Sequence, residues 1–178
     1  MGYAHADKLI GIHVNLLAVR RDTNMVSNPG YQWIQGTRPQ TLSFALTDSP
    51  AGLAAWIVEK FRVWSDCKGD VESAFTRDQL LANISLYWFT GAIGSSFFPY
   101  YSRMHRPWPI PEGGRIEVPT DCAAFPREIL RAPRSLAERT YTNLQRWTVM
   151  SRGGHFPAME GPDALADDVR AFFRPLRG

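Results

Sequence analysis

Cysteine is scarce in this chain, and the scarcity argues against two classes of protein. The two cysteines, Cys67 and Cys122, form no Cys-x-x-Cys pattern and have no histidine at metal-ligand spacing. Neither a disulfide framework nor a structural zinc site is therefore expected. Isolated thiols are typical of a reducing compartment, so we expect a cytoplasmic protein without metal or cofactor, a single disulfide being the open alternative.

Long apolar runs and clustered charges are also lacking. No stretch reaches the roughly 18 apolar residues of a membrane span, and residues 1–8 do not have the pattern of a signal peptide. The 20 Lys+Arg and 17 Asp+Glu give a formal net charge of +3. These charges are scattered, whereas nucleic-acid binders usually carry a basic stripe or run. We therefore expect no transmembrane segment and no nucleic-acid partner.

Aromatic residues, in contrast, are abundant. They make up 12% of the 178 residues, with six Trp and ten Phe. Such a composition is typical of a large core, and it also suits an aromatic pocket for an apolar ligand. Both interpretations can hold in one protein.

The first half of the chain predicts one strand followed by helices. Residues 9–19 form a short apolar run rich in β-branched residues, which predicts a buried parallel strand. Residues 22–47 predict mostly loop with a short helix. Ser49-Pro50 predicts a helix to about residue 64, and the capping box at residues 76–79 predicts another.

The second half predicts strands and helices in alternation. Four prolines within residues 99–114 predict a connector rather than a regular element. Residues 115–119 and 146–150 predict strands on either side of a short helix at 135–139. The last helix opens at Pro162, and its apolar face contains Leu165, Val169, Phe172 and Phe173.

This order of elements predicts an α/β fold. A strand, a helical block, a connector and then alternating strands and helices form the second half of a parallel sheet with a helical insertion. We divide the chain accordingly into a core strand with the end of a preceding helix at 1–21, a helical lid at 22–112 and a core at 113–178.

Two residues on loops after predicted strands are candidates for acid–base chemistry. His155 lies in an RGGHF run at residues 152–156, and a histidine on a glycine loop beyond a strand lies where α/β folds build sites. A histidine base needs an acid to orient it, and Glu128 lies 27 residues earlier, after the preceding strand. From position alone, a loop histidine and a surface glutamate remain open.

Five blocks in register resemble the microsomal type of epoxide hydrolase, an α/β-hydrolase. They are residues 30–39 (GYQWIQGTRP), 47–57 (TDSPAGLAAWI), 86–96 (LYWFTGAIGSS), 118–126 (VPTDCAAFP) and 152–156 (RGGHF). Together they cover nearly the whole chain from residue 9 onward. In this family an aspartate opens an epoxide to give an ester, and water then hydrolyses the ester to a vicinal diol. Such an activity fits detoxification or the catabolism of aromatic hydrocarbons.

The resemblance assigns roles to residues of this chain. His155 is the implied base, Glu128 its orienting acid, and Tyr31 and Tyr100 the donors to the epoxide oxygen. Tyr101 is the alternative register for Tyr100. The implied substrate-binding residues are Tyr101, Trp33, Trp88 and Phe156. Gln32-Trp33 departs from the apolar-His pair that is usual there.

The family's nucleophile elbow and oxyanion loop precede the strand at residues 9–19, so the resemblance implies a C-terminal part. Asp22 and Asp121 follow strands but lack an elbow motif, and His13 fits a core histidine. We expect the isolated chain to be inactive and poorly soluble unless a complementing N-terminal half or a homo-oligomer completes it.

A small apolar epoxide is the implied ligand. The alternatives are a related α/β-hydrolase such as a haloalkane dehalogenase, and a non-enzymatic protein that binds an apolar ligand. The epoxide hydrolase interpretation predicts that Glu128 and His155 face Tyr31 and Tyr100 across one apolar cavity.

Overall fold

In the part of the chain that the structure describes, three parallel strands form a sheet. The computed structural model describes residues 1–17, 19, 30–106 and 110–177. Strands β1 (Ile12–Val14), β2 (Thr120–Ala124) and β3 (Leu144–Val149) lie in the order β1-β2-β3. The parallel pairing agrees with the prediction, but β1 has three half-buried residues instead of a long buried run. Asp22 lies outside the described residues.

The second strand is displaced from its predicted position. Residues 115–119 were expected to form it, but only Ile116 makes an isolated bridge, to Tyr141, and β2 begins at Thr120. The prediction is wrong because the apolar side chains of Ile116 and Val118 are buried in the core next to the sheet without belonging to one of its strands. Asp121 accordingly lies inside β2 and is fully buried.

One helix lies between β2 and β3 in the sequence, and two helices follow β3. They are α6 (Arg134–Ala137), α7 (Pro157–Glu160) and α8 (Pro162–Phe173). The predicted final helix is confirmed, with Asp163 in its first turn and Arg170 in its last turn. Phe172 of α8 is almost completely buried, and α8 packs against β2.

Five helices come between β1 and β2 in the described part of the chain. They are α1 (Gly30–Thr37), α2 (Pro39–Asp48), α3 (Pro50–Trp64), α4 (Arg77–Thr90) and α5 (Phe98–His105). The expected start of α3 is confirmed, as is the capping box of α4. In that box Thr76 Oγ1 accepts from Gln79 N at 3.2 Å, and Gln79 Oε1 accepts from Thr76 N at 2.8 Å.

Two predictions in the same region are wrong. Residues 30–48 form the two helices α1 and α2 rather than mostly loop, and α5 occupies residues that were expected to be a connector. Pro39 and Pro99 stand in the first turns of α2 and α5, where a missing N–H removes no helical hydrogen bond. Pro107 and Pro109 lie outside the described residues.

Contacts divide the chain into two units. The first, here called the sheet unit, comprises Met1–Arg20, Trp64–Asp70 and Ile110–Gly178; the second, the helical unit, comprises Arg21–Val63 and Val71–Pro109. The segment Trp64–Asp70 lies within the predicted lid in sequence but makes its contacts in the sheet unit. Among the helices described, none combines the length and hydropathy that crossing a membrane requires.

Candidate active site

The loops that follow β2 and β3 run side by side at the carboxyl edge of the sheet. Arg127 N donates to Gly153 O at 3.1 Å, and Arg127 pairs with Gly154 in an isolated parallel bridge. This pairing continues the contact between the two strands beyond their ends. It brings the loop that carries Glu128 next to the loop that carries His155, at the edge where α/β folds bind ligands.

Glu128 and His155 are joined by a short hydrogen bond. His155 Nδ1 lies 2.7 Å from Glu128 Oε1; the histidine side chain is 25% exposed and the glutamate side chain 2%. An ionised carboxylate only accepts hydrogen bonds, so a neutral imidazole in this bond carries its proton on Nδ1 and keeps the lone pair on Nε2. Nε2 can therefore accept a proton from water, which is what a general base must do.

Two further donors hold the Glu128 carboxylate in place. Ile129 N donates to Oε1 at 2.7 Å, and Asn15 Nδ2 donates to Oε2 at 3.4 Å. Asn15 lies one residue beyond β1, so the acid is supported from the loop after the neighbouring strand. Glu128 and Asn15 also line a cavity of about 290 Å³ in the sheet unit, together with Cys122 and Trp147. Burial raises the pKa of Cys122 to about 12, which makes this thiol unreactive.

The histidine lies on a loop in which the two preceding positions, 153 and 154, require glycine. We call residues 153–156 the base loop. Gly153 has a φ of +101°, in the region that favours glycine. A Cβ at Gly154 would lie 2.4 Å from the carbonyl oxygen of Trp64. The loop therefore approaches the backbone of the segment Trp64–Asp70 more closely than any side chain permits.

Aromatic rings pack around the base on this side. The Trp64 ring meets the His155 ring edge-on, with centroids 5.2 Å apart at 84°. The same indole stacks on Phe156 at 6.3 Å, and Trp64 O accepts from His155 N at 2.8 Å. Phe156, a predicted substrate-binding residue, thus lies directly beside His155. Trp64 has no signal in its local sequence that links it to His155.

In the helical unit, Tyr31 and Tyr100 form an edge-to-face pair. Helix α1 packs against α5, and the side chain of Met104 occupies the space beside Gly36, where a Cβ would meet it at 2.5 Å. The two tyrosine ring centroids are consequently 5.8 Å apart at 80°. Gln32 Nε2 donates to Tyr31 Oη at 2.9 Å, so that bond uses Tyr31's oxygen and not its proton.

Both phenols are suited to donating hydrogen bonds at neutral pH. Burial raises the pKa of Tyr31, against a smaller lowering effect of the Gln32 hydrogen bond. Burial also raises the pKa of Tyr100, and the neighbouring Tyr31 and Tyr87 add to the rise. Both hydroxyls therefore keep their protons at neutral pH. The Lys60 ammonium lies 5.4 Å from the Tyr31 ring centroid.

The other predicted substrate-binding residues have different surroundings. Tyr101 is 41% exposed, stacks on His105 with centroids 4.0 Å apart, and lines a cleft of about 370 Å³ with Phe98 and residues 37–41. Trp33 is 54% exposed, and Trp88 is half-buried. Of the adjacent pair Tyr100 and Tyr101, it is the Tyr100 ring that contacts Tyr31.

A second polar cluster is buried in the sheet unit. His13 Nε2 lies 2.9 Å from Asp168 Oδ2 and 3.8 Å from Asp121 Oδ2. Among the described residues these three form a group with metal-compatible spacing. Arg146, however, is bonded to Asp168 Oδ1 at 2.7 Å and to Asp121 Oδ2 at 3.2 Å. The cluster is thus built around a cation of the protein itself, and the interpretation of His13 as a satisfied core histidine is confirmed.

The comparisons with known proteins agree with this architecture. No family model matches the chain. It is 48% identical over 148 residues to a Stigmatella aurantiaca protein whose name places it among the epoxide hydrolases, over 83% of this chain and 33% of the relative. It is 41% identical over 156 residues to epoxide hydrolase 1 of Sus scrofa, over 83% and 34%.

A solved structure gives the same result. The crystal structure of juvenile hormone epoxide hydrolase from the silkworm Bombyx mori matches 99% of this chain and 46% of that one, with a TM-score of 0.84 and 32% identity. The parallel sheet with flanking helices and this match define an α/β-hydrolase fold, as predicted. The chain is thus similar to one part of each of these epoxide hydrolases. It spans about a third of the length of the curated relatives it matches.

Proposed function

We propose that the chain serves in the hydrolysis of small apolar epoxides to vicinal diols. The observation that carries the proposal is the 2.7 Å bond between His155 Nδ1 and Glu128 Oε1 on the loops after β3 and β2. It fixes the tautomer in which Nε2 is available as a base. The relatives named as epoxide hydrolases make the epoxide the favoured substrate class.

The proposed reaction has two steps. A carboxylate nucleophile opens the epoxide and forms an ester, while Tyr31 and Tyr100 donate hydrogen bonds to the oxygen that becomes an alkoxide. Water then adds to the ester carbonyl carbon, His155 Nε2 takes one of its protons, and the acyl C–O bond breaks. Each hydroxyl oxygen of the product ends with one proton, both supplied by the water, so that the diol leaves and the carboxylate and the neutral imidazole are restored. Asp121 is not the nucleophile in this scheme, because it is fully buried in β2 and paired with Arg146.

The proposal also covers partners and location. A complementing N-terminal part, or a second copy of the chain, is the proposed macromolecular partner. Cys67 and Cys122 are both buried, and a pair of buried thiols suits a reducing cytoplasm. A role in detoxification or in the catabolism of aromatic hydrocarbons follows from the proposed substrate class.

A chimera tests the proposed chemistry on these residues directly. This chain replaces the matching residues of the Bombyx mori enzyme, and conversion of styrene oxide to its diol is measured by chromatography. We expect turnover by the chimera and none by the isolated chain. The unmodified Bombyx mori enzyme serves as the reference for assay and yield. A folded chimera without turnover, beside an active reference, would contradict the proposal.

The tyrosine pair separates epoxide opening from related chemistry. Tyr31→Phe and Tyr100→Phe should each slow ester formation by about 10²–10³-fold, because each removes one donor to the developing alkoxide. Tyr3→Phe, at an exposed tyrosine of the sheet unit, is the matched control and should leave the rate within about twofold. A haloalkane dehalogenase would not need the phenol pair, so equal rates in all three variants would favour that alternative.

A further inference from the structure

The base loop is held by two carboxylates that lie outside the Glu128–His155 pair. Asp66 Oδ2 accepts a hydrogen bond from Gly153 N at 3.2 Å, and Glu160 Oε1 accepts one from Phe156 N at 3.0 Å. Between them, His155 N donates to Trp64 O at 2.8 Å. Three backbone amides around the histidine are thus bound by groups from residues 64–66 and from α7.

Asp66 and Glu160 are also connected to each other and to the loop that carries Glu128. Asp66 N donates to the second oxygen of Glu160, Oε2, at 2.8 Å. Asp66 Oδ1 lies 3.7 Å from Arg127 Nε, and Arg127 N in turn donates to Gly153 O at 3.1 Å. Glu160 therefore bridges the segment Trp64–Asp70 and the base loop, while Asp66 adds a contact to the residue that precedes Glu128.

The base loop needs this support because of its own composition. Gly153 and Gly154 have no side chains that could fix the backbone, and glycine has the largest conformational freedom of any residue. His155 itself is partly exposed, so packing restrains its ring less than that of a core residue. Backbone hydrogen bonds to fixed acceptors must then determine where the imidazole points.

We propose that Asp66 and Glu160 are positioning residues for His155, an inference that rests on the proposed function of this histidine as the base. They fix the backbone on both sides of the ring so that Nδ1 meets Glu128 and Nε2 is free to take a proton from water. Neither carboxylate touches the reacting atoms in this scheme. Their effect on the reaction passes through the orientation of the imidazole.

The direct readout is the tautomer of His155 in the full chain. Long-range ¹H–¹⁵N NMR spectra at pH 8, where a free imidazole is neutral, distinguish a protonated Nδ1 from a protonated Nε2. We expect the unmodified chain to show the Nδ1–H form for His155. His13, whose Nε2 bonds Asp168, should show the Nε2–H form and serves as an internal reference in every spectrum.

Four variants separate positioning from a general loss of charge. Asp66→Ala removes the acceptor for Gly153 N. Asp66→Asn keeps one oxygen there and should therefore keep most of the Nδ1–H form of His155. Glu160→Gln keeps one acceptor for two donors, so one of the two bonds must be lost. Asp167→Asn is the matched control, since Asp167 is exposed in the same unit and pairs with Arg170.

The expected result is a shift of His155 toward a mixture of tautomers in Asp66→Ala and Glu160→Gln only. In the chimera these two variants should lower kcat by about 10–100-fold and change KM by less than about threefold, as for a misoriented base. If Asp66→Ala does not fold, Glu160→Gln and Asp66→Asn still carry the test. The Nδ1–H form persisting unchanged in folded Asp66→Ala or Glu160→Gln would overturn the inference.

The spectra and the assay also separate this inference from the proposed function. The expected tautomer shift in the chain, together with a folded chimera that turns over no epoxide, would support Asp66 and Glu160 as positioning residues and contradict the proposed reaction. Turnover that survives both variants, with an unshifted tautomer, would support the reaction and contradict the positioning role.

Discussion

Two histidine–carboxylate pairs lie in the sheet unit, and they differ in almost everything except bond length. His155 Nδ1 and Glu128 Oε1 are 2.7 Å apart, and both residues lie on loops beyond the ends of the strands. His13 and Asp168 are 2.9 Å apart between β1 and α8. The His155 side chain is 25% exposed and the His13 side chain 7%. One imidazole is open to a water molecule, and the other is enclosed by protein.

The surroundings of the carboxylates explain the difference. Asp168 also accepts from Thr148 Oγ1 at 2.7 Å and from Arg146 Nη2 at 2.7 Å. Its carboxylate therefore links α8 to β1, through His13, and to β3, through Thr148 and Arg146. Glu128 accepts from its neighbour Ile129 and from Asn15, which both lie outside the strands. The same two functional groups therefore stabilise the fold in one place and are available for chemistry in the other. Each prediction below tests this contrast.

Exchange of each histidine for glutamine should give opposite effects. His155→Gln removes the base, and ester hydrolysis in the chimera should fall by about 10²–10⁴-fold with little change in the free energy of unfolding. His13→Gln breaks a buried bond to a charged group and should lower the free energy of unfolding by about 2–3 kcal/mol. Single-turnover kinetics and urea unfolding measure the two effects separately.

The contrast fails if either variant behaves like the other. Folded His13→Gln should keep the single-turnover rate of the parent within about twofold, measured where the protein is fully native. A His13→Gln variant with normal stability and a rate reduced more than tenfold would place His13 in the chemistry and not in the scaffold.

The two acids of the buried cluster should respond differently to pH. Burial acts to raise the pKa of Asp168, but the hydrogen bonds from Thr148, His13 and Arg146 outweigh it and the pKa lies below its ordinary value of 3.8. Burial, and then the charge of Asp168, raise the pKa of Asp121 above that value, against His13 and Arg146. Asp168 thus favours the folded state when ionised, and Asp121 when protonated.

The sign of each effect follows from the direction of the shift. The stability from Asp168 is present above pH 3.8 and is lost as the pH falls below that value through its folded pKa. The contribution of Asp121 is present below pH 3.8 and is lost as the pH rises through its raised pKa. Asp168→Asn should therefore lower the free energy of unfolding at pH 7 by about 2–3 kcal/mol, and Asp121→Asn by less than about 1 kcal/mol.

Urea unfolding between pH 3 and pH 7 checks both statements. Asp168→Asn should flatten the loss of stability below pH 3.8, whereas Asp121→Asn should keep that loss and flatten the profile above it. Equal costs of the two substitutions at pH 7 would show that both acids contribute as ions, contrary to the buried, unpartnered Oδ1 of Asp121 in the described structure.

Local signals in the sequence predicted the starts of α3 and α4, whereas the second strand was misplaced. Ser49 accepts from Gly52 N at 3.0 Å at the start of α3, and Thr76 and Gln79 form the capping box of α4, because such contacts need only neighbours in sequence. The second strand was misplaced because β2 contains Asp121, and burial of a carboxylate inside a strand depends on the distant Arg146. Composition alone cannot supply that partner.

The candidate site divides in the same way. His155 and Glu128 came from motifs in register, and the structure places them in contact; their roles remain predictions. Asp66 and Glu160 carried no such signal. Asp66 meets Gly153 across 87 residues of sequence and Glu160 across 94, through backbone amides that every residue has. Side-chain identity therefore says nothing about such contacts before the fold is known.

The smallest expected effect is at Ser65. It tests whether a buried polar group in the sheet unit stabilises the fold only when it has a hydrogen-bond partner. Its hydroxyl is buried beside the base loop, where a Cβ at Gly154 would lie 2.9 Å from Ser65 Cα, and it has no hydrogen-bond partner among the described residues. Removing an unsatisfied hydroxyl is nearly neutral or stabilising. Ser65→Ala should change the free energy of unfolding by less than about 1 kcal/mol and leave the His155 tautomer as Nδ1–H. A cost above about 2 kcal/mol, or a tautomer shift, would mean that Ser65 binds a water that belongs to the base loop's support, since only a satisfied hydroxyl is costly to remove.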